Sequence, residues 1–145
     1  MRGWVLDTNV VSAFGPGKRP ISPKSAAWFR TRTEALYLST ISAAEVEAGI
    51  AKLRRTGSGR RADNLRRWFD RILDDYGDRL LSFDLAAARI AGALGDAAQA
   101  DGRHAGFADV AIAAIAKSRG FVILTLNLRH FEALGVETLD PFNAV

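Results

Sequence analysis

Three acids and an amide in this sequence have the types and the spacing to do chemistry together. They are Asp7, Glu45, Asp109 and Asn127. Two carboxylates ~4 Å apart repel by ~4 kcal/mol at an effective dielectric near 20. A cluster of them must therefore take up protons or hold a cation. Hard oxygen donors with room for water suit Mg²⁺ or Mn²⁺. Such an ion activates water and steadies the departing oxygen of a phosphodiester. No other metal chemistry is as well served. Cysteine is absent, which excludes disulfides and thiolate sites, and His104 and His130 are too few for a histidine-rich zinc site.

Each of the four also has a plain structural reading. Asp7 ends a short apolar strand, Trp4-Val5-Leu6, where a turn or helix-cap aspartate is common. Ser42-Ala43-Ala44-Glu45 spells a capping box, with Glu45 at its third helical position. Asp109 falls in the first turn of a helix, where the dipole favours an acid, yet its neighbours are alanine and branched aliphatics. Asn127 follows an apolar run, where asparagine usually serves a turn. The combination outweighs the single readings, because all four stand at strand ends or helix starts.

The elements that must position them alternate. Strands are expected at 4–6, 36–40, 80–83, 121–124 and, weakly, 136–139. Helices are expected from Pro23, from Ser42 to about Arg55, from Arg61 to Tyr76, from Asp84 to about Ala100, and from Phe107 to Ser118. Gly57-Ser58-Gly59 separates two of them, and Gly120 stands where a helix would close. The breaker-rich stretch Gly15–Pro20 reads as a loop. Strands alternating with helices imply a parallel sheet covered on both faces, with its site in the crevice outside the carboxyl ends of the strands.

The chain has 145 residues, 48% of them hydrophobic and 25% charged, the size and balance of one globular domain over residues 1–145. No apolar run is long enough to span a bilayer, so no membrane association is expected. Asp7 comes too early for a signal peptide, and the expected compartment is the cytoplasm. A net charge of +4 suits a polyanionic partner. The positive charge crowds residues 52–71, including Arg54, Arg55, Arg60 and Arg61. That stretch is either a solvated helical hairpin or a surface that tracks phosphates.

The pattern resembles the PIN-domain ribonuclease toxins, VapC-like halves of bacterial type II toxin–antitoxin systems. The matching segments are Val5-Leu6-Asp7-Thr8-Asn9-Val10, Leu38-Ser39-Thr40-Ile41-Ser42-Ala43-Ala44-Glu45, Ala108 to Ala116, and Ile123-Leu124-Thr125-Leu126-Asn127 followed by His130-Phe131. The resemblance implies a three-layer α/β/α fold with a central parallel sheet and RNA hydrolysis dependent on Mg²⁺ or Mn²⁺. Asp7 and Asp109 would hold the metal, Glu45 would complete the acidic pocket, Thr125 and Asn127 would help arrange the site, and Asn9 would orient Asp7. It also implies a homodimer and a cognate antitoxin with a DNA-binding domain, and it makes transfer RNA a family-level expectation for the substrate. Two positions depart from the pattern. Leu126 stands where many relatives carry arginine, and Asn127 where some carry an acid, which leaves a second metal open. Arg129 is either a substitute for that arginine or an ordinary surface residue.

Two rival readings remain at this point. One is a haloacid-dehalogenase-like phosphatase with Asp7 as phosphate acceptor, suggested by Val122-Ile123-Leu124-Thr125 but lacking the acid that chemistry needs at position 9, which is Asn9. The other is a non-catalytic nucleic-acid- or protein-binding module built on the basic 52–71 hairpin.

Overall fold

Five short strands form one sheet, and the computed structural model describes residues 2–143, so the outermost positions of the expected 1–145 domain lie outside the described residues. Strands β1 (Trp4–Leu6), β2 (Leu36–Ser39), β3 (Leu80–Leu81), β4 (Val122–Leu124) and β5 (Thr138–Leu139) are arranged β3-β2-β1-β4-β5, all parallel. Parallel neighbours need crossovers, and the seven α-helices among the described residues supply or flank them. These are α1 (Thr8–Ser12), α2 (Pro23–Arg30), α3 (Thr40–Arg55), α4 (Gly59–Tyr76), α5 (Leu85–Ala100), α6 (Phe107–Arg119) and α7 (Leu128–Glu132).

The two-residue period of the strands divides the core. Val5 and Ile123 point to one face, against Ala87, Ala91 and Ala98 of α5 and the buried aliphatics of α6. Leu6, Leu36, Leu38 and Leu124 point to the other, against Val10 and Val11 of α1, Phe29 of α2, Val46 and Ile50 of α3, and Ala62 and Phe69 of α4. Helix α6 is buried continuously from Val110 to Ala116, which explains why a helix so rich in alanine and isoleucine shows no polar face there. The expected α/β/α sandwich with a parallel sheet is present. No helix among the described residues is long and apolar enough to cross a membrane.

The local signals mostly hold. Ser22 caps α2 and Pro23 occupies its first turn, Asp84 caps α5 by accepting from the Ala87 N–H (2.9 Å), and Gly120 closes α6 in the left-handed region at φ 68°. Three expectations change. Helix α3 starts at Thr40, within the strand expected over 36–40, because Ser39 caps it by accepting from the Ser42 N–H (3.1 Å). The Ser42–Glu45 capping box is therefore not formed, and Glu45 lies in the second turn, free of any capping duty. Helices α1 and α7, of five residues each, escape a reading that depends on apolar periodicity, since five residues barely complete one turn.

Candidate active site

Asp7 leaves the end of β1 at the centre of the sheet, where its own N–H still pairs with the Leu124 carbonyl of β4 (2.8 Å). Its carboxylate is held from two sides. Oδ1 accepts from the Thr8 N–H at 2.8 Å, the capping bond of α1, and Oδ2 accepts from the Thr125 hydroxyl at 2.8 Å. Thr125 is fully buried, and its Oγ1 accepts in turn from the Asn127 N–H at 2.9 Å. The loop after β4 is thus tied to the acid that ends β1.

Burial pushes the Asp7 carboxyl above the usual carboxylate range, against the lowering effect of its bonds from Thr125 and Thr8, and the negative charges of Asp109 and Glu45 push it further up. Two acids from α3 and α6, distant in sequence, therefore act on this one carboxylate. The charged neighbours acting on it are both negative, and its donors are hard oxygens. That chemistry fits a divalent cation, with Asp7, Asp109 and Glu45 as the residues to hold it. Among the described residues no group of three carboxylates or histidines lies close enough together to hold a metal ion as it stands.

Glu45 is exposed, and the Thr8 hydroxyl donates to its Oε1 at 2.6 Å while lying 2.9 Å from Ser42 Oγ. Asp109 is half-buried, and its Oδ2 lies 3.2 Å from His130 Nδ1 on α7. Sequence reasoning gave Thr8 and His130 no role, and gave Ser42 only that of a helix cap. The adjacency of Thr8 to Asp7 was a usable signal; for His130 the only one was its place in the matching segment after Asn127, which gives no partner, because its position depends on the short helix α7.

Two expected roles take a different form. Asn9 makes no hydrogen bond to the Asp7 side chain; its Oδ1 accepts from the Leu126 N–H at 3.3 Å, so it holds the β4 loop rather than the carboxylate. Asn127 is exposed at the start of α7, bonds Thr125 through its backbone, and makes no side-chain bond to the acids.

The basic residues divide as well. Arg61 lines a concavity of about 340 Å³ together with Thr8, Glu45, Lys18 and Trp68. Arg54 is paired with Asp63 (2.8 Å), and Arg66 forks onto Glu47, both between α3 and α4. Arg55 and Arg60 are exposed. Arg129, on α7, lines a second concavity with Asp109. The hairpin is thus partly a set of internal ion pairs, and its Arg61 shares a concavity with Glu45.

Comparison with known proteins agrees with this arrangement. The family profile described as "PIN domain" matches residues 4–136. The plasmid stability protein StbB of Pseudomonas syringae pv. tomato is 37% identical over 97% of this chain and 99% of its own length. The VapC ribonuclease Y4jK of Sinorhizobium fredii is 36% identical over 95% of this chain and 96% of its own. Toxin FitB of Neisseria gonorrhoeae is 30% identical over 96% and 98%. The crystal structure of FitAcB from that organism matches with a TM-score of 0.82 at 30% identity, covering 97% of this chain and 99% of the other. A structure of FitAB bound to a DNA fragment matches at 0.80, also at 30% identity, over 97% and 96%. With the motifs, the sheet order and these matches in agreement, the chain belongs to the PIN-domain family, among its VapC- and FitB-like toxins.

Proposed function

We propose that this protein is a divalent-metal-dependent endoribonuclease that hydrolyses RNA phosphodiester bonds as the toxin of a toxin–antitoxin pair. The observation that carries the reading is the buried Asp7 carboxylate, raised by burial and by the charges of Asp109 and Glu45, at the carboxyl end of a parallel sheet. The names of the relatives, a VapC ribonuclease and a toxin, point the same way.

In this reading Asp7 and Asp109 hold Mg²⁺ or Mn²⁺ directly, and Glu45 completes the pocket. When bound, the cation supplies Lewis acidity and neutralises negative charge at the phosphodiester. The chain's own groups do the positioning. Thr125 and the Thr8 N–H fix both oxygens of Asp7, so its direction is set before any ligand arrives. Thr8 and Ser42 hold Glu45 toward the same crevice. Asn9 and Asn127 anchor the loop that carries Thr125. Arg54, Arg55, Arg60, Arg61 and Arg129 remain candidates for RNA contact, with Arg61 and Arg129 beside the acids.

The partner in this proposal is an antitoxin with a DNA-binding domain, a reading supported by the solved relative FitAB bound to a DNA fragment, and the homodimer implied by the family resemblance is part of the same proposal. The phosphatase alternative is set aside by the family match. The binding-module alternative loses support from the hairpin, whose Arg54 and Arg66 are engaged within the protein.

The test is cleavage of a labelled structured RNA by the full-length chain. Cutting is expected with Mg²⁺ or Mn²⁺, none with EDTA, and none by D7N or D109N with the metal present. Equal cutting by all three proteins, or cutting that survives EDTA, overturns the assignment.

A further inference from the structure

Beside the acidic centre lies a concavity of about 280 Å³ whose lining includes Arg103, His104, Gly106, Asp109, Arg129 and His130. Both histidines of the chain are there, with two arginines, brought together from the loop before α6 and from α7. Among the described residues neither arginine pairs with a carboxylate, in contrast to Arg54 and Arg66 of the hairpin. The pocket also opens on the start of α6, a helix of 13 residues capped by Gly106, which offers no side-chain acceptor. The first bond into that helix runs from the Val110 N–H to the Gly106 carbonyl (3.1 Å), so the N–H groups of 107–109 have no helical partner. Two unpaired guanidiniums against one carboxylate leave the pocket positive even with both imidazoles neutral. Asp109 is the link to the chemistry, since it lines this pocket while its charge acts on Asp7.

We propose that Arg103, His104 and Arg129, converging beside Asp109 at the start of α6, form a phosphate-binding subsite that holds the RNA backbone next to the bond cut at the acidic centre. The inference rests on the nuclease reading and extends it by naming where the strand is gripped. A phosphodiester is the fitting ligand because guanidinium forks match its paired oxygens and a helix start favours its charge. The arginine expected after Thr125 is Leu126 here, and this pocket supplies two guanidiniums on the Asp109 side instead.

The probe is a fluorescein-labelled single-stranded RNA of about ten nucleotides, titrated with the full-length chain in EDTA at several salt concentrations, so that binding is read without cleavage. The wild-type chain is expected to bind with an affinity that falls linearly on a log–log salt plot. R103A/R129A is expected to bind about tenfold more weakly at 0.1 M salt and to lower the slope by roughly 0.7–1.4, about 0.7 for each single-strand phosphate no longer neutralised. R103K/R129K keeps the charge and is expected to recover most of both. R30A, at the end of α2 and away from both the acids and the hairpin, is expected to change affinity by less than about twofold. Should the double alanine variant melt early, R103Q and R129Q singly report the same slope. Wild-type affinity and slope in R103A/R129A overturn the subsite and leave the nuclease reading standing. A wild-type chain that neither binds nor cleaves RNA overturns both.

Discussion

Asp7 and Glu47 are both carboxylates fixed by hydrogen bonds, yet the molecule treats them in opposite ways. Glu47, on α3, meets the Arg66 guanidinium of α4 through both oxygens, and that contact holds its carboxyl below the usual range. Asp7 has no such partner. Burial raises it, two more acids raise it further, and the bonds from Thr125 and Thr8 offset this only in part. A carboxylate that the fold has neutralised is a structural group, and one that the fold has buried near other acids is the kind the proposed function assigns to a cation. The α3–α4 hairpin and the sheet crevice differ in this respect, although on charge alone the hairpin looked the more functional of the two.

The largest effect that would sharpen this contrast is on catalysis. D7N and D109N are expected to reduce RNA cleavage by at least about 10²–10³-fold, the scale of losing one preorganised electrostatic group from a reacting site. The same D7N variant is expected to melt higher than wild type at pH 7, because asparagine keeps one acceptor oxygen for the Thr8 N–H, can donate its amide N–H to the Thr125 oxygen, and removes a buried charge. The sign follows from linkage. A raised folded value makes the protonated Asp7 stabilising below its ordinary value of 3.8, and that contribution is lost as pH rises through the folded value. The gap between D7N and wild type should therefore close in acid. Glu47 runs the other way: its contribution is present above 4.5 and is lost as pH falls through its lowered value. Melting curves of D7N and E47Q across pH 3–7 that moved in parallel would break the comparison.

A smaller but more specific effect is expected at Thr125. T125V keeps the shape but leaves Asp7 Oδ2 and the Asn127 N–H without their shared partner, a loss of about 1–3 kcal/mol. At roughly 2–4 °C for each kcal/mol, a thermal melt resolves it easily, and T125S should restore much of the difference. E45Q separates function from stability. Since Glu45 caps nothing and is exposed, the variant should stay within about 0.5 kcal/mol of wild type while metal-dependent cleavage falls. The smallest effect on stability should follow from R54A, which removes an exposed pair with Asp63 and is expected to shift it by about 0–1 kcal/mol.

The sequence showed the sheet and its crevice because buried parallel strands leave unbroken apolar runs, as in Phe121–Leu124, and because helix punctuation such as Asp84 and Gly120 acts over one or two residues. It showed the acids as a set because strand ends and helix starts are legible. It misplaced the start of α3, where two overlapping serine signals, Ser39 and Ser42, compete for one helix start, and only the backbone decides between them. It gave Asn9 to Asp7, its neighbour in the chain, whereas the amide reaches across to Leu126, 117 residues on. His130 and the pocket it shares with Arg103 were out of reach for a similar reason: a five-residue helix and a loop are set by tertiary packing, not by any period in the chain.

Whether Asp7, Glu45 and Asp109 together make a cation site is read by calorimetric titration of Mn²⁺ into the protein without RNA. Saturable binding is expected for the wild-type chain, a weaker isotherm for E45Q, and none for the double variant D7N/D109N. Binding by D7N/D109N that matches the wild type in affinity and stoichiometry would contradict it.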